Sequence, residues 1–409
     1  MTTLFANRNY RFLMSASAMS NLGDGIALLA FPWLASLITR DAALIAIVPF
    51  AARLPWLLFS IPAGVIIDRA DRRRLMIQAD LLRLVLIGAV IGLILSLDAL
   101  PLASPMGAIL ILAGLAFCLG LAEVIRDNAA QTALPSIVDK SQLEQANGQI
   151  WSVEQVMGSF VGPPLAGVLI AFALPVPFSF VALCMALSAY LLWSMVLPLR
   201  TAITHAPIWD DMRDGIRWLW DHKTLMRLGI MLGLLNFLTV MSVTILVLFA
   251  QDILGLTSVG YGVLLTAGAL GGVLGGLIGP AIITRLGSRN AVIAAMCTWP
   301  IALMLIALTH SPWVVAFALF AETFAGLIWN IVTVSYRQRL IPDAILGRVN
   351  AIYRFLGWGG IPLGILFAGF LVSWFEPTLG RDGALRLPYW IAAFGSLGML
   401  IYGLRRLRF

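Results

Sequence analysis

The chain has 409 residues, of which 60% are hydrophobic and only 11% are charged, and its mean hydropathy is +0.94. A soluble globule of this size cannot hide so much apolar surface, so the composition excludes that class and predicts a polytopic membrane protein. A net charge of +7 would suggest nucleic acid as a partner in a soluble protein, but here the basic residues fall in alternate loops and indicate a lipid surface instead.

Apolar runs divide the chain into segments that are each long enough to cross a bilayer, for which about 20 residues are needed. We therefore predict an all-α fold of twelve transmembrane helices in two pseudo-symmetric halves of six. Numbered as spans one to twelve, the runs cover residues 12–38, 43–67, 75–97, 106–125, 148–171, 177–197, 225–250, 258–283, 291–309, 313–334, 349–374 and 388–404.

Loop charges predict the orientation of these spans. One set of loops contains Arg8, Arg11, the arginines of residues 69–74, Arg126, Lys140, Arg285, Arg289, Arg337, Arg339, Arg348 and the basic tail, whereas the opposite set contains only Arg40, Arg381 and Arg386. Because basic loops remain on the cytoplasmic side, both termini are expected in the cytoplasm and the chain in the plasma (inner) membrane. No cleavable signal peptide is expected at the N-terminus.

The longest polar segment separates the two halves. Residues 200–224 repeat apolar side chains at three-to-four spacing among charged ones, which predicts an amphipathic linker helix on the membrane surface. The predicted domains are residues 1–199, the linker 200–224, and residues 225–409. Gln131 to Pro135 after span four and Gln338 to Pro342 after span ten have the same spacing, which indicates a diverged internal duplication.

A charged loop between spans two and three carries the most specific pattern. Gly64, Asp68, Arg69, Arg72 and Arg73 match the G-x-x-x-D-R-x-G-R-R loop of the major facilitator superfamily, with Asp71 in place of the second glycine. The chain therefore resembles that superfamily along its whole length. The resemblance implies the major facilitator fold and assigns a gating role to the loop. Without the resemblance, the same loop is only a topology signal.

Span five carries a second pattern, with small residues around two consecutive prolines. Gly158, Gly162, Pro163 and Gly167 resemble the antiporter signature G-x-x-x-G-P-x-x-G-G of superfamily exporters, with Ala166 replacing one glycine. Such a helix bends and packs closely against its neighbours, so ordinary helix packing is the alternative interpretation.

Four ionisable residues placed within the spans are the candidates for proton coupling. They are Asp24, Arg53, Glu154 and Glu322. A charge at such depth is costly and usually functional. We expect Asp24 to exchange a proton or to form a structural ion pair with Arg53. A further group, Asp80, Arg83, Glu123, Arg126 and Asp127, is expected near the cytoplasmic helix ends as part of an inner gate.

No motif indicates enzymatic chemistry. The sequence contains no G-x-x-x-x-G-K-[ST] loop, so energy is expected from an ion gradient and not from a nucleotide. The three cysteines lie in apolar runs, and no metal-ligand or nucleophile-base arrangement is seen. We expect no catalytic residue, no metal and no cofactor. Aromatic residues including Trp329 and Trp358 are candidates to line an apolar cavity, or else to pack between helices.

Three short sequence segments most resemble one exporter branch of the superfamily, which includes macrolide efflux proteins and the enterobactin exporter. They are residues 134–138, residues 347–350 and the Asp68 to Arg73 loop. The resemblance implies an antiporter that exports amphipathic small molecules, such as drugs or siderophores, in exchange for protons, and we expect the protein to be a monomer. The alternatives are a proton-linked importer or lipid flippase of the same fold, or a membrane signalling or scaffold protein.

Overall fold

The computed structural model describes residues 4–139, 142–196, 216–341 and 343–406, and within these ranges every regular element is helical. Spans one to four are the helices Arg8–Ile38, Ala42–Arg69, Arg72–Leu95 and Met106–Ala133, and span six is Pro175–Trp193. Spans seven to ten are Lys223–Asp252, Ser258–Leu286, Ser288–Leu308 and Pro312–Leu340. Helices satisfy every backbone hydrogen bond internally, which a chain in lipid requires.

Spans eleven and twelve form one helical run, Asp343–Arg406, that is interrupted at Gly380. Gly380 has φ 70° and ψ 170°, a backbone conformation that a residue without a Cβ adopts readily. Among the described residues, eleven helical stretches are long and apolar enough to cross a membrane, and the last of them is the 52-residue stretch Phe355–Arg406. The all-α, multi-pass architecture is thereby confirmed, with Gly380 separating the last two spans.

Span five is built from three pieces. A helix Leu143–Gln155 leads into a π-helical segment Val156–Val161, and the α-helix resumes at Gly162–Phe172. Pro163 and Pro164 have no N–H, and their rings crowd the carbonyl groups one turn earlier. The wider π turn before them relieves that crowding, so the bend predicted from the prolines appears as a π-helical segment.

Large apolar side chains remain exposed on many helices. Trp313 is 83% exposed, Trp374 80% and Phe172 78%. Contiguous apolar surface of this kind is unfavourable in water. These faces are therefore in contact with lipid, as in a multi-pass membrane protein.

The predicted linker helix falls largely outside the described residues, which resume at residue 216. Residues 216–221 are helical, with Leu219 buried and Trp220 71% exposed. The amphipathic character of the linker stays a prediction.

The chain forms two compact units. The first contains Met1–Arg40, Ile47–Thr204 and Thr257–Thr266, and the second contains Asp41–Ala46, His205–Leu256 and Ala267–Phe409. An apolar core that includes Leu13, Ile67, Met76 and Val124 holds the first unit together. Tyr10 belongs to this core, and its hydroxyl donates a hydrogen bond to Gln149 Oε1 at 2.7 Å. In the second unit, Asn236 Nδ2 on span seven donates to the Gly357 carbonyl on span eleven at 2.7 Å.

Candidate functional site

A cluster of charged side chains lies inside the first unit, on spans one to five. We call this set the charge cluster. Its carboxylates belong to Asp24, Asp80, Glu123, Asp127 and Glu154, and its guanidinium groups belong to Arg53, Arg83 and Arg126.

At the centre of the charge cluster, Arg83 pairs with Asp24. Nη2 of Arg83 donates to Asp24 Oδ1, and Nη1 donates to Ser20 Oγ at 2.9 Å. The Arg83 side chain is only 5% exposed, whereas that of Asp24 is 26% exposed. Arginine stays protonated in proteins, so this is an ion pair within a membrane span whose acidic partner remains accessible.

The predicted pairing of Asp24 with Arg53 is wrong. Arg53 Nη1 instead lies 3.9 Å from Glu123 Oε1, and the partner of Asp24 comes from span three. Arg83 is the twelfth of the 24 residues of that helix, so its side chain acts at mid-span. The prediction that Arg83 lies near the cytoplasmic end of a helix is therefore also wrong.

Asp80 is the most deeply buried acid of the charge cluster, with a side chain that is 0% exposed. Ser188 Oγ on span six donates to Asp80 Oδ2 at 2.5 Å. The other oxygen, Oδ1, lies 3.7 Å from Arg83 Nη1 and 3.9 Å from Arg126 Nε. Arg126 also pairs with Asp127, at 3.2 Å. Two guanidinium groups thus lie close to three carboxylates. Asp80 and Arg83 are three residues apart on one helix, a spacing that brings side chains together and could have suggested this part of the arrangement.

Carboxylates outnumber guanidinium groups in the charge cluster. Glu154 on span five is half-buried and interacts electrostatically with Asp127 and Arg126, so the described side chains of the cluster comprise five acids and three bases. Uncompensated charge is expensive to remove from water. The cluster is therefore suited to taking up positive charge, as protons or as a cationic group.

Small residues bring span five against span one and against the start of span eight, which lies in the Thr257–Thr266 stretch of the first unit. A Cβ at Gly162 would lie 2.6 Å from Gly25 Cα on span one, and a Cβ at Gly25 would clash with the Gly158 carbonyl. Further along, a Cβ at Gly167 would lie 2.5 Å from the Ser258 carbonyl oxygen on span eight. The antiporter-like glycines thus act as close-packing positions, and Gly25 places Asp24 next to this contact.

In the loop between spans two and three, the described side chains hold the start of span three. Arg72 Nη1 donates to the Thr132 carbonyl at 2.7 Å, and Arg73 Nε donates to the Leu192 carbonyl at 3.0 Å. Asp71 caps the helix by accepting from Arg74 N at 3.2 Å, which gives the replacement of the family's glycine a structural role. The side chains of Gly64, Asp68 and Arg69 lie outside the described part.

Glu322 is a buried acid on span ten of the second unit. It is 4% exposed, and Thr239 on span seven supplies a side-chain hydrogen bond. Its Oε1 has no hydrogen-bond partner among the described residues. A buried acid with no cationic partner in the described part of the chain is suited to holding a proton.

A family model described as transmembrane secretion effector (MFS_3) matches residues 2–384. Among curated proteins, the multidrug efflux pump Tap of Mycolicibacterium fortuitum is 28% identical over 373 residues, 87% of each chain. The staphyloferrin A transporter of Staphylococcus aureus is 25% identical over 365 residues, also 87% of each chain.

Solved structures show the same fold. The nucleoside transporter NupG superimposes with a TM-score of 0.73 at 14% identity, covering 98% of this chain and 99% of that chain. A bacterial homologue of the iron transporter ferroportin, solved in an inward-facing state, gives a TM-score of 0.71 at 17% identity, covering 98% and 100%. With the family model matching most of its length, this chain belongs to the transmembrane secretion effector family of the major facilitator superfamily.

Proposed function

We propose that the protein is a proton-coupled antiporter that exports amphipathic small molecules from the cytoplasm. The observation that carries the coupling is the Asp24 and Arg83 ion pair within a membrane span, in a cluster where acids outnumber bases. The family match and the named relatives together support secondary transport of small molecules. The name of one relative, a multidrug efflux pump, supports export and a broad substrate class, and the name of the other, a staphyloferrin A transporter, supports a small-molecule substrate.

The proposed cycle uses protonation of Asp24 as its switch. While Asp24 is ionised, it holds Arg83. When a proton neutralises it, Arg83 loses its closest anion and can turn to Asp80, whose Oδ1 is 3.7 Å away. One protonation event thereby changes the preferred partner of a buried cation. A ligand or proton shifts a conformational equilibrium only through such a difference in interaction.

Alternating access is assigned to the two predicted halves, residues 1–199 and 225–409, joined by the linker 200–224. In this proposal the protein works as a monomer in the plasma membrane with both termini in the cytoplasm. The loop with Gly64, Asp68, Arg69, Arg72 and Arg73 acts as the inner gate. Glu154 and Glu322 are secondary proton sites, and Arg53 is the cationic partner of Glu123.

The proposal is tested with a panel of dyes and antibiotics in bacterial cells that lack their own efflux pumps. Cells expressing the protein should retain less of at least one compound than cells with an empty vector. A protonophore should abolish the difference, because it removes the proton gradient. Lower retention that survives the protonophore would contradict proton coupling, and greater retention would favour import.

A further inference from the structure

Arg126 lies in the charge cluster with part of its hydrogen-bonding capacity unused. Its side chain is 1% exposed, and its Nη1 donates to Asp127 Oδ1 at 3.2 Å. Nε lies 3.9 Å from Asp80 Oδ1, and both Nε and Nη2 are buried without a hydrogen-bond partner among the described residues. A guanidinium group carries five N–H donors, and burying donors without acceptors is costly. Arg126 is therefore ready to bind a further carboxylate.

Glu154 is an acid close to Arg126 that does not bind it in this structure. The Glu154 side chain is half-buried on span five and interacts electrostatically with Arg126 and Asp127. No ion pair joins it to another residue in the part of the chain that is described. A small movement of span five toward span four would give Arg126 its missing acceptor.

The two ends of span five are packed to different degrees. In the helix that follows the π-helical segment, Gly162 and Gly167 are buried, and Ser258 Oγ donates to the Gly167 carbonyl at 2.9 Å. We call the helix that precedes the segment, Leu143–Gln155, the entry helix. Among its described side chains only Ala146 is buried. Span five is thus anchored at one end and loosely packed at the other.

The π-helical segment Val156–Val161 joins these two parts and begins two residues after Glu154. None of its residues is buried. The π-helix is a rare form that occurs mostly at functional sites, and a change in its hydrogen-bond pattern turns the helix on one side relative to the other. The start of the entry helix is held by the hydrogen bond from Tyr10 to Gln149, so such a turn moves the end that carries Glu154.

The proposed cycle supplies a reason for this movement. When Asp24 is protonated, Arg83 turns to Asp80 Oδ1, the same oxygen that lies 3.9 Å from Arg126 Nε. Two buried cations then compete for one carboxylate oxygen, and a buried charge without a counter-charge is unfavourable. Glu154 can supply that counter-charge. A guanidinium neighbour favours the ionised form of a carboxyl group, so pairing would also make Glu154 release a proton.

We infer that Glu154 is the second partner of Arg126: protonation of Asp24 turns the entry helix about the π-helical segment and brings Glu154 into an ion pair with Arg126. Glu154 is in this sense a positioning residue, which passes the change at Asp24 on to span five. The inference rests on the proposed function for its trigger. The movement is measurable without substrate and without a proton gradient, so the two ideas can fail separately.

The test is the distance between two spin labels in the purified full-length protein, with the three native cysteines replaced. One label is placed at Val85→Cys on span three, a position that is 68% exposed, and the other at Ser152→Cys, which is exposed on the entry helix. Asp24→Asn represents protonated Asp24 and should shift the distance distribution. Adding Glu154→Gln should reverse the shift, because glutamine cannot form the ion pair, whereas adding Glu154→Asp should preserve it.

The matched control moves the second label to Val168→Cys, which is 42% exposed on the anchored part of span five. Its distance from position 85 should be the same with and without Asp24→Asn. An unchanged distance at position 152, a shift that persists with Glu154→Gln, or an equal shift at position 168 would overturn the inference. Asp24→Ser removes the same charge and replaces Asp24→Asn if that variant does not fold.

Discussion

Arg83 is the residue on which the charge cluster most depends. It contacts Asp24 and Ser20, lies 3.7 Å from Asp80, and is 5% exposed. Removing one partner of a buried ion pair leaves an uncompensated charge and typically costs about 3–5 kcal/mol. We therefore expect Arg83→Gln to lower the melting temperature of the detergent-purified protein strongly and to abolish export.

A double substitution separates charge balance from packing. Asp24→Asn combined with Arg83→Gln removes both charges, so the double variant should melt at a higher temperature than Arg83→Gln alone. If the two substitutions instead lower the melting temperature additively, Asp24 and Arg83 do not act as a pair.

Depth along the helix made Asp24 predictable, because any acid twelve residues inside an apolar run must be protonated or paired. Its partner was not predictable from local sequence. The rotation of span three that turns Arg83 toward Asp24 also turns Asp80 toward Ser188, which is 108 residues away. Long-range packing determines this rotation, and the hydropathy pattern of the sequence carries no information about it.

At the scale of the element, span five shows how small residues position the site. A Cβ at Gly162 would lie 2.6 Å from Gly25 Cα, whereas a Cβ at Gly148 in the same span would meet nothing within 4 Å. Overpacking of a tight contact costs roughly 1–3 kcal/mol. Gly162→Ala should therefore lower both the melting temperature and the export rate, by moving span one and Asp24 with it.

Gly148→Ala is the matched control for this substitution. In a helix, alanine is favoured over glycine by about 0.5–1 kcal/mol where space allows, so this variant should be as stable as wild type or slightly more so. Equal effects of the two alanines would show that the contact between Gly162 and Gly25 does not position span one.

Most helices were predictable because apolar runs of about 20 residues have few alternatives in lipid. The two prolines of span five likewise predicted a bend. The π-helical form of that bend and the continuous run through Gly380 were not predictable. The same residues are compatible with several backbone conformations at each of these two places. The glycine pattern indicated close packing, but its partners, Gly25 and Ser258, come from other parts of the chain.

At the scale of the whole molecule, the proposed topology can be measured by cysteine labelling in intact cells. In a variant whose three native cysteines are replaced, Thr378→Cys lies in an exposed segment before Gly380, and Ala70→Cys lies in the exposed loop between spans two and three. A membrane-impermeant maleimide should modify position 378 but not position 70. The reverse pattern would place the termini outside the cell.

The proposed coupling is tested most directly by transport in reconstituted vesicles. The measurement compares wild type with Asp24→Asn, a variant that preserves side-chain size and an oxygen for Arg83 while removing the charge. Vesicles would carry an imposed pH gradient and an exported dye identified in the cell assay, and dye binding to the same proteins would be measured in detergent. We expect wild type to move the dye against its concentration gradient, and Asp24→Asn to bind the dye but show no transport driven by the pH gradient. Export by Asp24→Asn at the wild-type rate under the same gradient would contradict a coupling role for the Asp24 and Arg83 pair.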